Sequence, residues 1–380
     1  MDFTLTEDRA MLKDMVARFV ADNYPLEKRH EIADSADGFS REMWSQFAEL
    51  GLIGALFSEE DGGFGGAGFD ISVLFEELGR GLVVEPFVAS AVLAGSVISR
   101  LGDDEQKSTL ADIIAGGRLA ALAHGEPDSR YDVCAVKTTC SRSADGWTLN
   151  GNKAVVLNAD TADLLVVTAR SSGGEWDEDG VCAFLLPADA DGVEIRGYPT
   201  IDGLRASEIS LNDVKVPDSA VLGAEGKAYP AIEMAVARAN VALCAESIGL
   251  MEICRDITLD YLKTRKQFGV PIGKFQALQH RMATVLTEIE QARSAVINAA
   301  GRLELDRIER EKAVSTAKTL CGQVGRLVAE EAIQMHGGIA MTWEYSLPHF
   351  AKRLIMIDHQ FGDVDYHMAR YIELSTAQAA

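Results

Sequence analysis

The sequence has 380 residues, which exceeds the usual size of one domain and predicts two or three packed units. An apolar fraction of 47% and a charged fraction of 25% are ordinary for a globular protein. The formal net charge of −22 argues against nucleic acid or an anionic membrane as the main partner, because both attract basic surfaces.

The N-terminus and the cysteines both indicate a cytoplasmic location. The chain begins acidic, without the basic and apolar regions of a secretory signal, and no apolar run reaches the roughly 20 residues that cross a bilayer. Six cysteines form no CxxC pair and no metal-like pattern with histidine. We interpret them as reduced thiols and expect no metal site.

The first 120 residues read as helices. Thr6 is a plausible N-cap for a helix whose apolar residues recur at helical spacing up to Val20. Further helices are predicted at about 40–50, 69–80, 86–101 and 104–115. Residues 59–66 form a glycine-rich turn without the flanking strand and helix of a phosphate loop, so the simple interpretation is a flexible connection.

The pattern then changes to short β-branched segments. Strands are predicted at 147–151, 153–158, 164–168, 181–186 and 207–211, separated by turn signals such as Asn150-Gly151 and Asp191-Gly192. This pattern predicts an antiparallel, barrel-like β domain of about a hundred residues.

From Tyr229 onward, long helical patterns return at 229–263, 275–303 and 309–336, with loops near 264–274 and 337–346. Helices of this length pack as a bundle. The predicted fold is therefore α+β, with an N-terminal helical domain (1–120), a middle β domain (121–225) and a C-terminal four-helix bundle (226–380).

Two segments of the bundle resemble signatures of the acyl-CoA dehydrogenase family. The first is residues 261–269 (YLKTRKQFG) followed by 271–279 (PIGKFQALQ), and the second is residues 334–345 (QMHGGIAMTWEY). The length and the helix–β–helix order match as well, so the resemblance covers essentially the whole chain. Within the family, the chain is most similar to the small subunit of pimeloyl-CoA dehydrogenase and to the unequal subunits of steroid side-chain dehydrogenases.

The resemblance implies that these segments reach across a subunit interface to the pyrophosphate and adenosine of FAD. A guanidinium such as Arg265 can form paired bonds with a diphosphate, and Gly337-Gly338 lets backbone amides approach an anion. The predicted FAD contacts are Arg265, Gln267, Phe268, Phe275, Gln276, Gln334, Gly337 and Gly338.

The β domain departs from the family pattern at the flavin and thioester site. The family's Thr-Glu-Pro-Gly-x-Gly-Ser-Asp loop reads GEPDSRYD here (125–132), with Tyr131 in place of a small serine. Its Trp-x-Thr element reads Val155-Val156-Leu157, which lacks the aromatic cover and the hydroxyl that bonds the flavin. Glu126, Pro127, Gly151, Lys153 and Asn158 still match.

The carboxylate base is missing as well. Dehydrogenation needs a carboxylate to remove the α-proton while the flavin takes the β-hydride. The two positions where the family carries it hold Phe361 and Ala237. Asp363 is a weak candidate for a shifted base, and Arg238 is a weak candidate for substrate binding.

The main hypothesis is a subunit of an α2β2 acyl-CoA dehydrogenase, with two FAD per four chains. A second, catalytic subunit would supply the flavin pocket and the base, an acyl-CoA would be the substrate, and an electron-transfer flavoprotein would accept the electrons. Three alternatives remain open: a homotetramer that uses Asp363, a flavin monooxygenase or nitroalkane oxidase on the same fold, and a subunit that binds no flavin.

Overall fold

A computed structural model describes residues 5–144 and 146–377, and these residues pack as two compact units. The bundle unit combines the chain up to His30, Ala67–Val83 and the chain from Asn240 onward. The β unit combines Glu31–Gly66 with Val84–Ala239. The predicted domain boundaries after residues 120 and 225 remain predictions.

The helices cluster at the two ends of the chain. In chain order they are α1 (Glu7–Asn23), α2 (Leu26–Ala33), α3 (Arg41–Glu49), α4 (Gly68–Arg80), α5 (Gly95–Leu101), α6 (Asp104–Ile114), α7 (Tyr229–Thr264), α8 (Gln276–Arg302), α9 (Arg307–His336), α10 (Leu347–Asp358) and α11 (Val364–Ala377). A π-helical segment, Phe87–Ala94, leads directly into α5.

The strands lie almost entirely between α6 and α7. They are β1 (Ala120–Ala123), β2 (Thr139–Ser143), β3 (Gly146–Leu157), β4 (Leu164–Arg170), β5 (Val181–Pro187), β6 (Val193–Pro199), β7 (Arg205–Val216) and β8 (Val221–Leu222), with a small hairpin of β9 (Lys266–Gln267) and β10 (Val270–Pro271) after α7. The predicted fold class is therefore confirmed.

Side-chain caps explain several of the helix starts. Thr6 accepts a hydrogen bond from the backbone N–H of Arg9, which confirms the predicted cap of α1, and Ser40 caps α3 in the same way. In the bundle unit α9 lies at the centre, in contact with α8, α10 and α11. Its buried side chains recur at three- and four-residue steps, as in Val314, Ala317 and Cys321.

The β unit is built on one sheet, with strand order β6-β7-β3-β2-β4-β5-β8 and β1 paired in parallel with β4. Two of the predicted strands, 147–151 and 153–158, are one long strand, because β3 continues through a bulge against β7. Inside the sheet Trp147 packs edge-on against Phe184, with ring centroids 5.6 Å apart.

The glycine-rich segment is a fixed turn, so its interpretation as a flexible connection was wrong. The N–H groups of Gly63, Gly65 and Gly66 donate to the carbonyls of Ser58, Phe57 and Ala55. A Cβ on Gly63 or on Gly65 would lie 2.4 Å from a backbone oxygen. The glycines are there because the turn packs against the backbone of the preceding residues.

Helix α7 is long and apolar enough by composition to cross a membrane, but its apolar window is entirely buried within the protein. It is the one described helix that meets that composition test. Burial on this scale is expected of a core helix. All six cysteines are free, and five of them are buried.

A buried ion pair joins α7 to α10 in the bundle unit. Arg353 donates from Nε and Nη2 to the two carboxylate oxygens of Glu246, at 2.6 and 2.7 Å, and from Nη1 to the side-chain oxygen of Gln360 at 2.9 Å. The two charged side chains are only 5% and 8% exposed. Such a bidentate pair fixes geometry, and loss of one partner strands the other charge.

We expect Glu246→Gln to lower the free energy of unfolding by about 3–5 kcal/mol, because the buried Arg353 guanidinium would lose the carboxylate that accepts two of its hydrogen bonds. Urea denaturation of the purified chain measures the change. The matched control is Asp37→Asn, which removes the exposed pair with Arg41 and should cost less than about 0.5 kcal/mol. Similar losses in the two variants would contradict this prediction.

Candidate functional site

The segment that follows α7 forms a short exposed hairpin. Its two-residue turn, Phe268 and Gly269, has positive φ at both positions (53° and 79°), as type I′ hairpin turns require. A phenylalanine in this conformation is strained, and here its side chain is also 91% exposed. Its ring makes an edge-to-face contact with the Phe275 ring, with centroids 6.2 Å apart. An exposed aromatic held at a strained turn is typical of a binding surface.

The polar residues predicted to hold FAD on this hairpin are accessible. Arg265 is exposed, and its backbone N–H and C=O bond to Tyr261 and Ile272, which fixes the main chain while leaving the guanidinium outward. Within residues 5–144 and 146–377 that guanidinium has no ion-pair partner. The side chains of Gln267 and Gln276 are exposed too. The donors are therefore available to a ligand.

The second predicted segment begins where α9 ends. Gly337 has φ 69° and ψ −147°, a conformation for which glycine is needed. A Cβ on Gly338, in contrast, would meet nothing within 4 Å, and its φ is not positive. The fold of this chain therefore does not require glycine at 338, and the free space beside the backbone suits an approaching ligand. Gln334, one turn earlier, is exposed.

An aromatic stack brings the two segments together. The Tyr261 ring, one turn before Arg265, lies 4.4 Å from the His336 ring at an interplanar angle of 25°, and His336 directly precedes Gly337. Burial lowers the pKa of His336, so the ring stays neutral beside the cationic hairpin. Sequence reasoning did not identify Tyr261 as this link, although its fixed spacing from Arg265 was a visible signal.

Hydrogen bonds fix the loop at the predicted base position, and its residue 361 is a phenylalanine instead of a carboxylate. Lys318 Nζ donates to the carbonyls of Ile357 (2.7 Å) and Gln360 (2.8 Å). Burial lowers the pKa of this ammonium. His367 Nε2 lies 3.0 Å from the carbonyl oxygen of Phe361, which requires that nitrogen to carry the proton. The loop is thus fixed around a half-buried phenylalanine.

Asp363 caps α11. Its Oδ1 accepts a hydrogen bond from the N–H of Tyr366 at 2.9 Å, and its carbonyl accepts from the N–H of His367. An N-cap side chain accepts a backbone hydrogen bond in this way, so the geometry gives Asp363 a structural role. Its catalytic role stays a prediction.

The other two predicted positions are buried in the β unit. Ala237 is 1% exposed. Arg238 is 7% exposed, and it donates to the carbonyls of Gly66 and Leu56 at 2.7 and 2.8 Å, so it supports the glycine-rich turn. Its substrate role stays a prediction.

A buried ion pair supports the loop that matched the family's Glu-Pro element. Lys153 is fully buried and donates to Glu126 Oε1 at 2.7 Å. Burial lowers the pKa of Lys153 to about 8. Burial alone would raise the pKa of Glu126, but the Lys153 charge and hydrogen bonds outweigh it, and the net shift is downward. Two backbone amides, of Lys137 and Thr138, also donate to Glu126. Both residues serve the fold.

The neighbouring surface of β3 is poorly suited to a flavin ring. Val155 sits at the β3 bulge with φ 53° and is 62% exposed. A β-branched residue in this region costs about 1–2 kcal/mol. Val155 offers no aromatic face, and Leu157 has no hydroxyl to donate. The residues present therefore fit the adenosine and diphosphate end of FAD, while the flavin end lacks its contacts.

Comparison with known proteins agrees with this geometry. Family models of the acyl-CoA dehydrogenases match the chain three times: the N-terminal domain at residues 6–118, the middle domain at 121–214 and the C-terminal domain at 227–362. The probable acyl-CoA dehydrogenase YngJ of Bacillus subtilis is 30% identical over 353 residues, which cover 91% of this chain and 92% of that protein.

Two solved structures share the fold over nearly the full length. The Tcur3481-Tcur3483 steroid ACAD is 29% identical with a TM-score of 0.88, covering 99% of both chains. The FAD complex of PigA is 26% identical with a TM-score of 0.90, covering 99% of this chain and 100% of that one. An FAD complex among these neighbours agrees with the predicted cofactor. With each of its three regions matched and a 30% identical relative along most of its length, the chain belongs to the acyl-CoA dehydrogenase family.

Proposed function

We propose that this chain is the non-catalytic subunit of a heteromeric acyl-CoA dehydrogenase. It contributes the contacts to the diphosphate and adenosine of an FAD whose flavin ring lies in a catalytic partner. The assembly is an α2β2 heterotetramer with two FAD. The observation that carries the proposal is the contrast between an accessible set of FAD donors and a rigid loop that presents Phe361 where a base is needed.

The bundle unit supports the binding half of this proposal. Arg265 stands outward without an ion-pair partner among the described residues, and Gly338 leaves room that this chain does not use. Leaving the Phe268 ring in water forfeits its burial free energy, of the order of 2 kcal/mol, unless a ligand or another chain covers it. An exposed ring of this kind contributes no burial free energy to folding, and binding of a ligand or another chain would account for its presence.

The side chains at the predicted catalytic positions do not supply proton removal or the flavin contacts. A phenylalanine takes no proton, and Asp363 is occupied as a helix cap. The β3 surface lost both flavin contacts at Val155 and Leu157. The partner must therefore provide the base and the flavin pocket.

In the assembled enzyme FAD supplies the hydride acceptor for α,β-dehydrogenation of the thioester. Arg265 neutralises the diphosphate through charge-assisted hydrogen bonds, and the exposed amides of Gln267, Gln276 and Gln334 add neutral donors and acceptors. The Gly337-Gly338 backbone approaches the anion, and the rings of Phe268 and Phe275 shield the adenosine from water. These residues bind and orient; proton transfer belongs to the partner.

The substrate class is proposed from the similarity of this chain to a solved structure. The Tcur3481-Tcur3483 protein is a steroid ACAD whose name joins two components, and it covers 99% of this chain. We therefore propose a bulky acyl-CoA, such as a steroid side-chain thioester, with a dicarboxylic thioester as the other member of the class. An electron-transfer flavoprotein is the proposed acceptor.

The isolated chain should retain little FAD and oxidise no acyl-CoA, because its flavin contacts and its base are missing. Absorbance at the flavin band and turnover with an artificial electron acceptor measure both properties. A yellow homomer with one FAD per chain and full turnover would show that the chain is self-sufficient. Turnover that depends on oxygen and a separate reductase would instead favour a monooxygenase.

Arg265→Gln, made in the complex with the catalytic subunit, should weaken FAD affinity about ten- to a hundredfold, because a charge-assisted bond to the diphosphate is lost. The matched control is Lys263→Gln, which removes an exposed cation two residues earlier and should change affinity less than threefold. Equilibrium titration of the apo-complex with FAD, at one fixed ionic strength, gives both numbers. Equal effects would mean that only net charge matters.

Asp363→Asn should leave both turnover of the complex and stability nearly unchanged, because asparagine caps a helix as well as aspartate does. Asp363→Ala should lower the free energy of unfolding by about 1 kcal/mol through loss of the cap, again with little effect on kcat. Steady-state kinetics and thermal unfolding of the two variants separate these roles. A fall in kcat of a thousandfold or more in the asparagine variant would identify Asp363 as the base.

A further inference from the structure

The first half of helix α1 contains no fully buried side chain. Among the seventeen residues of α1 only Val16 and Val20 are buried, and both lie in its second half. Met11 is 66% exposed, and Leu12 is half-buried. A surface helix is normally fixed by a stripe of buried apolar side chains, which the first two turns of α1 lack. We call residues 7–13 the α1 strap.

Ionic contacts hold the α1 strap on helix α4. Arg9 Nε donates to Asp70 Oδ1 at 2.7 Å. Lys13 Nζ lies 3.2 Å from Glu76 Oε1 and 3.5 Å from Glu77 Oε1. The side chains of Arg9 and Lys13 are 27% and 39% exposed, so water and dissolved ions reach both cations. Salt therefore weakens the contacts that hold the strap.

Helix α4, which lies against the strap, is fixed by other contacts. A Cβ on Gly68 would lie 2.2 Å from the backbone oxygen of Ala300 in α8. A Cβ on Gly79 would lie 2.3 Å from the backbone oxygen of Glu246 in α7. Backbones that approach this closely set the position of α4, so α4 would stay in place if the strap left it.

The two glutamates that contact Lys13 have further cationic partners. Arg293 Nη1, from α8, donates to Glu76 Oε2 at 2.8 Å. Arg80 Nε lies 3.7 Å from Glu77 Oε2. Release of Lys13 would therefore leave neither carboxylate without a counter-charge. An uncompensated charge is the main penalty for breaking a buried ion pair, and this arrangement avoids it.

We infer that the α1 strap lifts from α4 when the ionic strength rises, while the second half of α1 remains docked. Screening acts over this range because the Debye length falls from about 10 Å at 0.1 M to about 3 Å at 1 M ionic strength. The docked half is fixed at Val20, whose Cγ1 would lie 2.2 Å from a Cβ on Gly81, directly after α4.

Lifting the strap changes the surface of α4. The Arg9 guanidinium carbon lies 5.3 Å from the centroid of the Phe69 ring, so its departure uncovers that ring together with the carboxylate of Asp70. The strap is thus a conformational switch that responds to dissolved ions. The inference does not depend on the proposed function, because no strap residue is among the predicted FAD contacts.

Hydrogen–deuterium exchange of the purified full-length chain, followed by mass spectrometry, measures the opening. The amides of residues 10–14 should exchange at least fivefold faster in 1 M than in 0.05 M sodium chloride, because screening weakens the pairs of Arg9 and Lys13. The amides of α8 should keep their exchange rates over the same change and serve as the internal reference.

Lys13→Met should open the strap in 0.05 M sodium chloride, again with at least fivefold faster exchange, and should remove most of the salt dependence. The matched control is Arg18→Gln, which removes an exposed cation of the same helix that has no ion pair within residues 5–144 and 146–377. This control should change the exchange of residues 10–14 less than twofold. Unchanged exchange in α8 excludes general unfolding of either variant.

Three results would overturn the inference. They are strap exchange that does not respond to salt in the parent chain, equal effects of the two substitutions, and equal acceleration of residues 16–22, which would mean that α1 detaches as a whole. The salt series on the parent chain decides the matter even if Lys13→Met does not fold.

Discussion

The stack of Tyr261 on His336 is the contact on which the arrangement of the binding surface depends. It joins the last turn of α7 to the last residue of α9, two helix ends that are about seventy residues apart in sequence. The stack therefore links the helix end that carries the Arg265 hairpin to the helix end that carries the Gly337 turn. Because burial keeps His336 neutral, the stack adds no repulsive charge beside the cationic hairpin.

The chain has the buried contacts that support its fold, and it has no carboxylate at either predicted base position. Lys153 and Glu126 remain buried and paired in the β unit, and Lys318 and His367 still hold the 360–363 loop. Removing one partner of such a buried group costs several kcal/mol, so the fold itself resists substitution there. Phe361, by contrast, is half-buried, and its side chain can form no hydrogen bond or ion pair. These buried contacts maintain the architecture without a carboxylate at position 361.

Sequence reasoning was most successful where one physical signal dominated. The long periodic helices α7, α8 and α9 were placed within two residues of their observed ends. Helices α2, α10 and α11 and strands β1, β2, β6 and β8 were missed, because short elements carry too few residues for a period to stand out. The two strands predicted within β3 are continuous through a bulge, and a bulge depends on register with β7 that no local pattern encodes.

The candidate site shows the same difference between residues with a local sequence signal and contacts that form only in the folded chain. Motif residues such as Arg265 could be identified from their spacing, since the resemblance fixes them one by one. The helix-capping role of Asp363 had a local signal, a carboxylate just before a helix, but α11 itself was not predicted. The ring contacts of Trp343 involve His30, more than three hundred residues away, and only the folded chain brings them together.

Gly338 gives a different kind of information from the other residues of the site. Apart from its two chain neighbours, no described residue lies within 4 Å of the place where its Cβ would sit, and its φ is not in the range that favours glycine. Selection for folding alone would leave such a position free to drift toward residues with lower conformational entropy in the unfolded state. A glycine there therefore suits the approach of a ligand or a partner chain to the backbone. Measurements of the stability of the isolated chain would not detect such a contact. Binding measurements on a complex with the proposed partner would detect it.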